Sequence, residues 1–368
     1  MKVVQIDDTF RIYGDNLKTF DRLPAQTYLV RFSKNSGWFL ETHADIEIKE
    51  TKIYGVHMEK VNKVLNAFNE FNKNLGVILS GNKGIGKSLF AKELSIQAMS
   101  YGYPVIIVDT YIPGIADYLE SIKQEVIVLF DEFDKTFGGI KAQDGMADPQ
   151  TELLTLFDGL STGKKCFVIT CNNMRNLNDF LINRPGRFHY HFRFEYPTAE
   201  EITEYLHDKL NEKYYDQITS VTSFANKVSL NYDCLRAIAY ELNHGIEFKE
   251  AIKDLNIINV NDIKYVVTLY LKDGRHASVT CLVDMFDKSG EFSNDDFYIG
   301  NTYVNASCKI MDVTYDKKRY VDIVNGEFVS LKPSYYDDDD DSKKEVEKME
   351  ADYMTFVRET DKNIHYMV

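Results

Sequence analysis

The chain has 368 residues, 44% hydrophobic and 27% charged, with a formal net charge of −14. That is enough chain for two or three globular domains with full cores, and the composition excludes disordered and fibrous classes. The acidic excess argues against a mainly nucleic-acid-directed protein, which would carry a basic face, and no stretch approaches the roughly 18 apolar residues of a membrane helix.

Residues 1–55 alternate in a β-like way, as in Thr27-Tyr28-Leu29-Val30-Arg31-Phe32 and Trp38-Phe39-Leu40, with Asn35-Ser36-Gly37 as a hairpin turn. They predict a small β-rich N-terminal domain, and the opening Met-Lys-Val-Val lacks the apolar core of a signal peptide. Val61, Val64, Leu65, Phe68 and Phe71 then fall at helical spacing over 57–73. Apolar runs follow at 77–79, 105–108, 126–130, 167–169 and 191–194, separated by helical segments. Short β-branched runs alternating with helices indicate a parallel sheet covered on both faces, here spanning 56–197.

Past Pro197, Thr198-Ala199-Glu200-Glu201 reads as a capping box that opens a helical region over 198–258. A second β-rich domain is expected over 259–335, with strands at 265–271 and 277–283 joined at Asp273-Gly274. Residues 336–368 read as an acidic linker, Asp337 to Asp341, and a tail helix with Val346, Met349, Tyr353 and Val357 on one face. Five scattered cysteines with no C-x-x-C pair fit reduced thiols in a cytoplasmic compartment. His189 and His191 share a strand face without a third ligand, which favours a polar face over a metal site.

Gly81-Asn82-Lys83-Gly84-Ile85-Gly86-Lys87-Ser88 fits G-x-x-x-x-G-K-[ST] without a mismatch, follows an apolar strand, and opens a helix at Leu89. A chance match in a chain this long is about one in a hundred before that context is counted. Glycines let the backbone turn its N–H groups toward phosphates at the positive end of the helix. Lys87 is placed for the β- and γ-phosphates of ATP, and the Ser88 hydroxyl for Mg²⁺. The later run Val126 to Phe130 ends in Asp131-Glu132. Asp131 is assigned to the Mg²⁺ shell and Glu132 to the attacking water as general base.

Leu153 to Leu160, Val168-Ile169-Thr170-Cys171-Asn172, and Leu181-Ile182-Asn183-Arg184-Pro185-Gly186-Arg187-Phe188 resemble consecutive motifs of the AAA family of ATPases. In wording the block at 126–197 is closest to the Bcs1-like branch and to AAA ATPases of bacteriophages. The resemblance covers about residues 55–255 and neither β-rich flank. It implies an α/β fold, an AAA+ parallel-sheet P-loop core with a helical lid. It implies that Asn172 is the sensor near the γ-phosphate, and that Arg184 and Arg187 are arginine fingers reaching a neighbouring subunit. Fingers imply a homo-oligomer, a hexameric ring. Arg236 resembles a second sensor offset by one position, and Tyr54-Gly55-Val56 stands where such proteins pack against adenine. Tyr111-Ile112-Pro113-Gly114 stands where unfoldases carry a gripping pore loop, although an ordinary turn accounts for it equally.

The expected function is therefore a Mg-ATP-hydrolysing ring ATPase that remodels, translocates or assembles protein clients in the cytoplasm, the host's if phage-encoded. The alternative is a nucleic-acid-directed motor or loader, which DNA-stimulated turnover with steep salt dependence would favour. No membrane partner is expected.

Overall fold

In a parallel sheet with both faces covered, strands read as continuous apolar runs, and such runs build the first part of this chain. The computed structural model describes residues 1–6, 8–44, 46, 54, 57–138, 148–158, 163–182, 184–257, 263–336 and 340–359. They fall into two units, Met1–Glu195 and Tyr196–Val368. Gly55, Val56, Gly159, Leu160, Asn183 and Asp337 to Asp339 lie outside the described residues.

In the first unit the strands are β1 (Lys2–Ile6), β2 (Thr9–Tyr13), β3 (Thr27–Ser33), β4 (Gly37–Thr42), β5 (Leu75–Ser80), β6 (Val105–Val108), β7 (Val126–Phe130), β8 (Lys165–Cys171) and β9 (Tyr190–Arg193). The helices are α1 (His57–Glu70), α2 (Lys87–Ser100), α3 (Ile115–Ser121), α4 (Phe133–Thr136), α5 (Pro149–Glu152) and α6 (Leu154–Phe157). Seven strands form one sheet in the order β4-β3-β6-β7-β8-β5-β9. All neighbours are parallel except β3 and β4, which form a hairpin through Gly37 at φ 68°. Because these strands run the same way, the ends of β5, β7 and β8 meet on one edge, where α/β sheets hold their ligands.

The hairpin of β3 and β4 corrects the expected N-terminal domain over 1–55. Thr27 to Leu29 pair in register with Val105 to Ile107 of β6, so this segment extends the central sheet instead of standing alone. Trp38 of β4 stacks on Tyr118 of α3 with ring centroids 5.2 Å apart, which ties the extension to the core. Only β1 and β2 remain as a separate two-stranded ribbon, with Val3, Phe10 and Ile12 exposed.

Phe130, at the end of β7, meets Phe133, Phe137 and Phe157 at 5.6–5.9 Å in edge-on geometry. All four rings are fully buried. This aromatic wedge packs α4 and α6 against the sheet and so fixes the direction in which the chain leaves β7.

The second unit holds α7 (Ala199–Lys209), α8 (Ile218–Ala225), α9 (Tyr232–Asn243) and α10 (Phe248–Asp254), then β10 (Lys264–Leu271), β11 (His276–Leu282), β12 (Glu291–Ile299), β13 (Thr302–Lys309), β14 (Thr314–Asp316), β15 (Val321–Asn325), β16 (Ser330–Pro333), α11 (Asp340–Val346) and β17 (Ala351–Arg358). The capping box at Thr198 and Glu201 is present. Two antiparallel sheets, β11-β10-β17-β15-β14 and β12-β13-β16, share a core that includes Leu269, Phe297, Val304 and Phe356.

The expected tail helix is corrected here. Helix α11 ends at Val346, and residues 351–358 form the strand between β10 and β15. Met354 and Phe356 alternate into the core, Tyr353 stacks on Tyr270 at 4.5 Å, and Val357 is 43% exposed. Hydrogen-bonded partners on both sides outweigh the short helical spacing that Val346, Met349, Tyr353 and Val357 happen to share.

Candidate nucleotide site

Residues 81–88 connect β5 to α2. Gly81, Gly84 and Gly86 take φ of 139°, 73° and 102°, values that side chains with a Cβ rarely adopt. A Cβ on Gly81 would sit 2.3 Å from the Phe194 carbonyl oxygen and 2.6 Å from Ile85 Cδ1, so the loop closes only with glycine there. Ile85 is buried and pins the loop, whereas Asn82, Lys83 and Ser88 are exposed and Leu89 is half-buried. Gly86 caps the N-terminus of α2 without a side-chain partner, leaving the first N–H groups of that helix for an anion.

Lys87 is 7% exposed. Its Nζ donates to the carbonyls of Gly81 (2.6 Å) and Asn82 (2.5 Å) and to Asn172 Oδ1 (3.0 Å). Burial lowers its pKa, and the neighbouring acids Asp134, Asp131 and Glu132 oppose that shift. Asn172 lies just beyond β8, and besides accepting from Lys87 it is near enough to Glu132 to help lower that acid's pKa, so one amide stands between the P-loop lysine and the acid at the end of β7. Asn173 is engaged differently: its oxygen accepts from the Arg175 N–H at 3.0 Å.

Asp131 and Glu132 follow β7 directly. Glu132 has a left-handed backbone, φ 46° and ψ 46°, and starts α4. Its carboxylate pairs with Lys135, which holds its pKa below the ordinary value; burial opposes this, and Lys83 and Asn172 add to the lowering. Thr170 and Asp134, to which the sequence assigns no role, complete this corner. The Thr170 hydroxyl donates to Asp131 Oδ1 (2.6 Å) and accepts from the Glu132 N–H (2.8 Å). Asp134, 3% exposed, accepts from the Asn173 N–H at 3.0 Å through Oδ2, and its buried Oδ1 has no partner among the described residues. The recurrence of Asp three residues after Asp131 was a visible signal; a threonine within an apolar strand gave none.

The structure thus brings Gly81 to Ser88, Asp131, Glu132 and Asn172 to one edge of the sheet. Arg184 and Arg187 find their partners elsewhere. Arg187 forms a bidentate pair with Asp158, one contact at 2.8 Å, and donates to the Phe180 carbonyl at 2.7 Å. Arg184 is exposed and lies over the Phe180 ring at 5.5 Å. Arg236 belongs to the second unit and pairs with Asp233 at 3.3 Å.

Tyr111 faces inward. Its hydroxyl donates to Glu152 Oε2 (2.6 Å), its ring meets Phe137 edge-on at 5.6 Å, and the Gly114 N–H donates to Glu152 Oε1 (2.8 Å). Burial, with Glu152 adding, pushes its pKa up to about 12. The segment is a βα turn pinned by Glu152. His191 shares a 2.7 Å hydrogen bond with Ser80, and His189 packs edge-on against Phe71.

The glycine cradle, the buried lysine and the paired acids fit a nucleoside triphosphate with Mg²⁺, because they set cationic and N–H donors opposite carboxylate acceptors. No helix among the described residues is long and apolar enough to cross a membrane.

Residues 77–196 match the model of the ATPase family associated with various cellular activities (AAA). The chain is 27% identical over 174 residues to the putative ribosome biogenesis ATPase nvl of Dictyostelium discoideum, covering 41% of this chain and 20% of that protein. It is 29% identical over 146 residues to the ATP-dependent zinc metalloprotease FtsH 1 of Phytoplasma mali, covering 36% and 24%. With the FtsH of Mycoplasma genitalium it shares 23% over 235 residues, covering 60% and 32%. The chain therefore spans about a third or less of these relatives' length. The matches support the family without singling out a Bcs1-like or phage branch within it.

Proposed function

Starting from an AAA-family ATPase with its domain at residues 77–196, we propose that the protein works as a Mg²⁺-dependent homo-oligomeric ring, a hexamer, that remodels, translocates or assembles protein clients in the cytoplasm. The observation that carries the catalytic part is Asn172, which accepts from Lys87 at 3.0 Å and stands near enough to Glu132 to help lower its pKa. One amide beside both the phosphate-binding lysine and the acid fits a sensor of the γ-phosphate.

In this reading the backbone N–H groups of residues 82–89 and Lys87 hold the phosphates of ATP. Ser88 and Asp131 would hold Mg²⁺, which would neutralise charge on the phosphate oxygens. Glu132 takes the proton of the attacking water. The pair with Lys135 lowers the Glu132 pKa, so the carboxylate stays ionised further into the acid range, and release of that pair frees it to act as the base. Asn172 orients the water. Arg184 and Arg187 act on the site of the next subunit; Arg184 is exposed already, and Arg187 acts after leaving Asp158.

A protein client is favoured by the net charge of −14, which repels nucleic acid. The inward-facing Tyr111 leaves no free aromatic grip at that position, so client contact is assigned to other surfaces. The test is Glu132→Gln in the full chain. It is expected to bind ATP and form the same oligomer while losing turnover; retained turnover would refute the assignment of Glu132. Parent turnover measured with an unfolded protein and with single-stranded and duplex DNA tests the client class, and stimulation by DNA alone would overturn the protein reading.

A further inference from the structure

A hydroxyl buried in a sheet must find hydrogen-bond partners or destabilise the fold. Thr170 is 4% exposed and lies in β8 beside the end of β7. The ladder between these strands runs from Val126 opposite Lys165 to Phe130 opposite Ile169. One residue further, the chain turns away into α4, and the N–H of Glu132 leaves the ladder. The Thr170 oxygen takes that N–H at 2.8 Å while its proton goes to Asp131 Oδ1 at 2.6 Å. Both capacities of one hydroxyl are thus spent on the two consecutive acids that end β7.

We propose that Thr170 is a positioning residue of the hydrolysis site, which fixes the Asp131 carboxylate and holds the Glu132 backbone in its left-handed turn. The first contact engages one Asp131 oxygen and leaves the other for the metal's water shell. The second supports a conformation, φ 46° and ψ 46°, that residues other than glycine seldom take. That turn carries the Glu132 side chain out of the line of β7 and toward Asn172 and Lys135. Valine would fill the same space with neither contact, so packing alone does not call for threonine here. The inference rests on the roles assigned above to Asp131 and Glu132.

The test compares Thr170→Val, Thr170→Ala and Thr170→Ser in the full chain through three measurements. These are equilibrium binding of a fluorescent ATP analogue with and without Mg²⁺, steady-state turnover, and thermal unfolding. Removing a group that orients a metal-holding carboxylate costs about 10- to 100-fold in metal affinity or activity. Thr170→Val and Thr170→Ala are expected to lower turnover within that range and to raise the Mg²⁺ midpoint for analogue binding. Binding without Mg²⁺ should be unchanged, and Thr170→Ser, which keeps the hydroxyl, should stay close to the parent. Thr170→Ala keeps the test open should the valine variant fold poorly. The proposal is overturned if both hydroxyl-free variants keep the parent's Mg²⁺ midpoint and turnover, or if Thr170→Ser falls as far as they do. Glu132→Gln separates the two levels: its inactivity with a normal Thr170→Val defeats this inference alone, whereas its retained activity defeats the reading beneath it.

Discussion

Glu132 and Tyr320 are the non-glycine residues with positive φ among those described, and Glu132 stands where hydrolysis is assigned. A Cβ in this conformation crowds the following carbonyl and costs about 1–2 kcal/mol. Glu132→Gly removes that cost but also widens the unfolded ensemble, which returns about 0.5–1 kcal/mol. Glu132→Ala keeps the Cβ and therefore the strain. Both variants lose the carboxylate and its contacts with Lys135 and Asn172, so their difference isolates the backbone. Glu132→Gly is expected to be more stable than Glu132→Ala by about 0.5–1 kcal/mol, and both should be inactive. For a unit of this size that is a separation of about 1–4 °C in Tm. Trp38 is the single tryptophan and stacks on Tyr118 in the same unit, so its fluorescence follows the relevant transition. An alanine variant as stable as the glycine variant would refute the left-handed turn. The expected ordering means that this unit keeps a strained acid at the cost of stability, as functional sites often do.

Arg187→Ala should lose about 1 kcal/mol of stability, the discounted value of a partly exposed bidentate pair, whereas Arg184→Ala should melt with the parent. If both arginines act across subunits, either variant should regain turnover when mixed with Lys87→Ala, and failure of both mixtures would count against fingers. Gly81→Ala should abolish binding of a fluorescent ATP analogue, because its Cβ meets the Phe194 carbonyl at 2.3 Å; normal binding would show that the loop closes otherwise. Lys135 holds the Glu132 pKa down, so the ionised base persists to lower pH in the parent; Lys135→Met should move the acid limb of turnover to higher pH, and an unmoved limb would assign it to another group. Burial raises the Asp322 pKa, so stability of the second unit should fall as pH rises from about 3.9 through the folded value. Asp322→Asn removes this penalty, and its circular-dichroism melts should exceed the parent's near pH 7 and match them near pH 3.

The phosphate loop, β7 with Asp131-Glu132, and the central strands were legible because a strand buried on both faces must be continuously apolar, so the residue that ends it stands out. Membership of β3 in the central sheet was not legible. Its half-polar alternation, with Arg31 within it, resembles an independent hairpin, and its partner β6 lies more than seventy residues further along. The tail misled for a related reason: over a short window the spacing of Val346, Met349 and Tyr353 satisfies a helix, while the alternation of Met354 and Phe356 satisfies the strand that forms. Thr170 was invisible because threonine is ordinary in strands, and only the ends of two adjacent strands show what its hydroxyl meets. Arg187 stood out by its motif, but its tie to Asp158 required knowing that two distant segments converge.

Strand β17 sits between β10 and β15, yet it follows β10 by some eighty residues. During synthesis at about 5–20 residues per second, β10 therefore emerges several seconds before its inner neighbour exists. Through that interval β10 offers a bare edge of backbone donors and acceptors, joined late in it by β15, the kind of edge that invites pairing between nascent chains. The sheet is sealed by a late insertion and not by zipping from one end. Its assembly should trail that of the nucleotide unit on the ribosome, and crowded polysomes are where misassembly would first be seen.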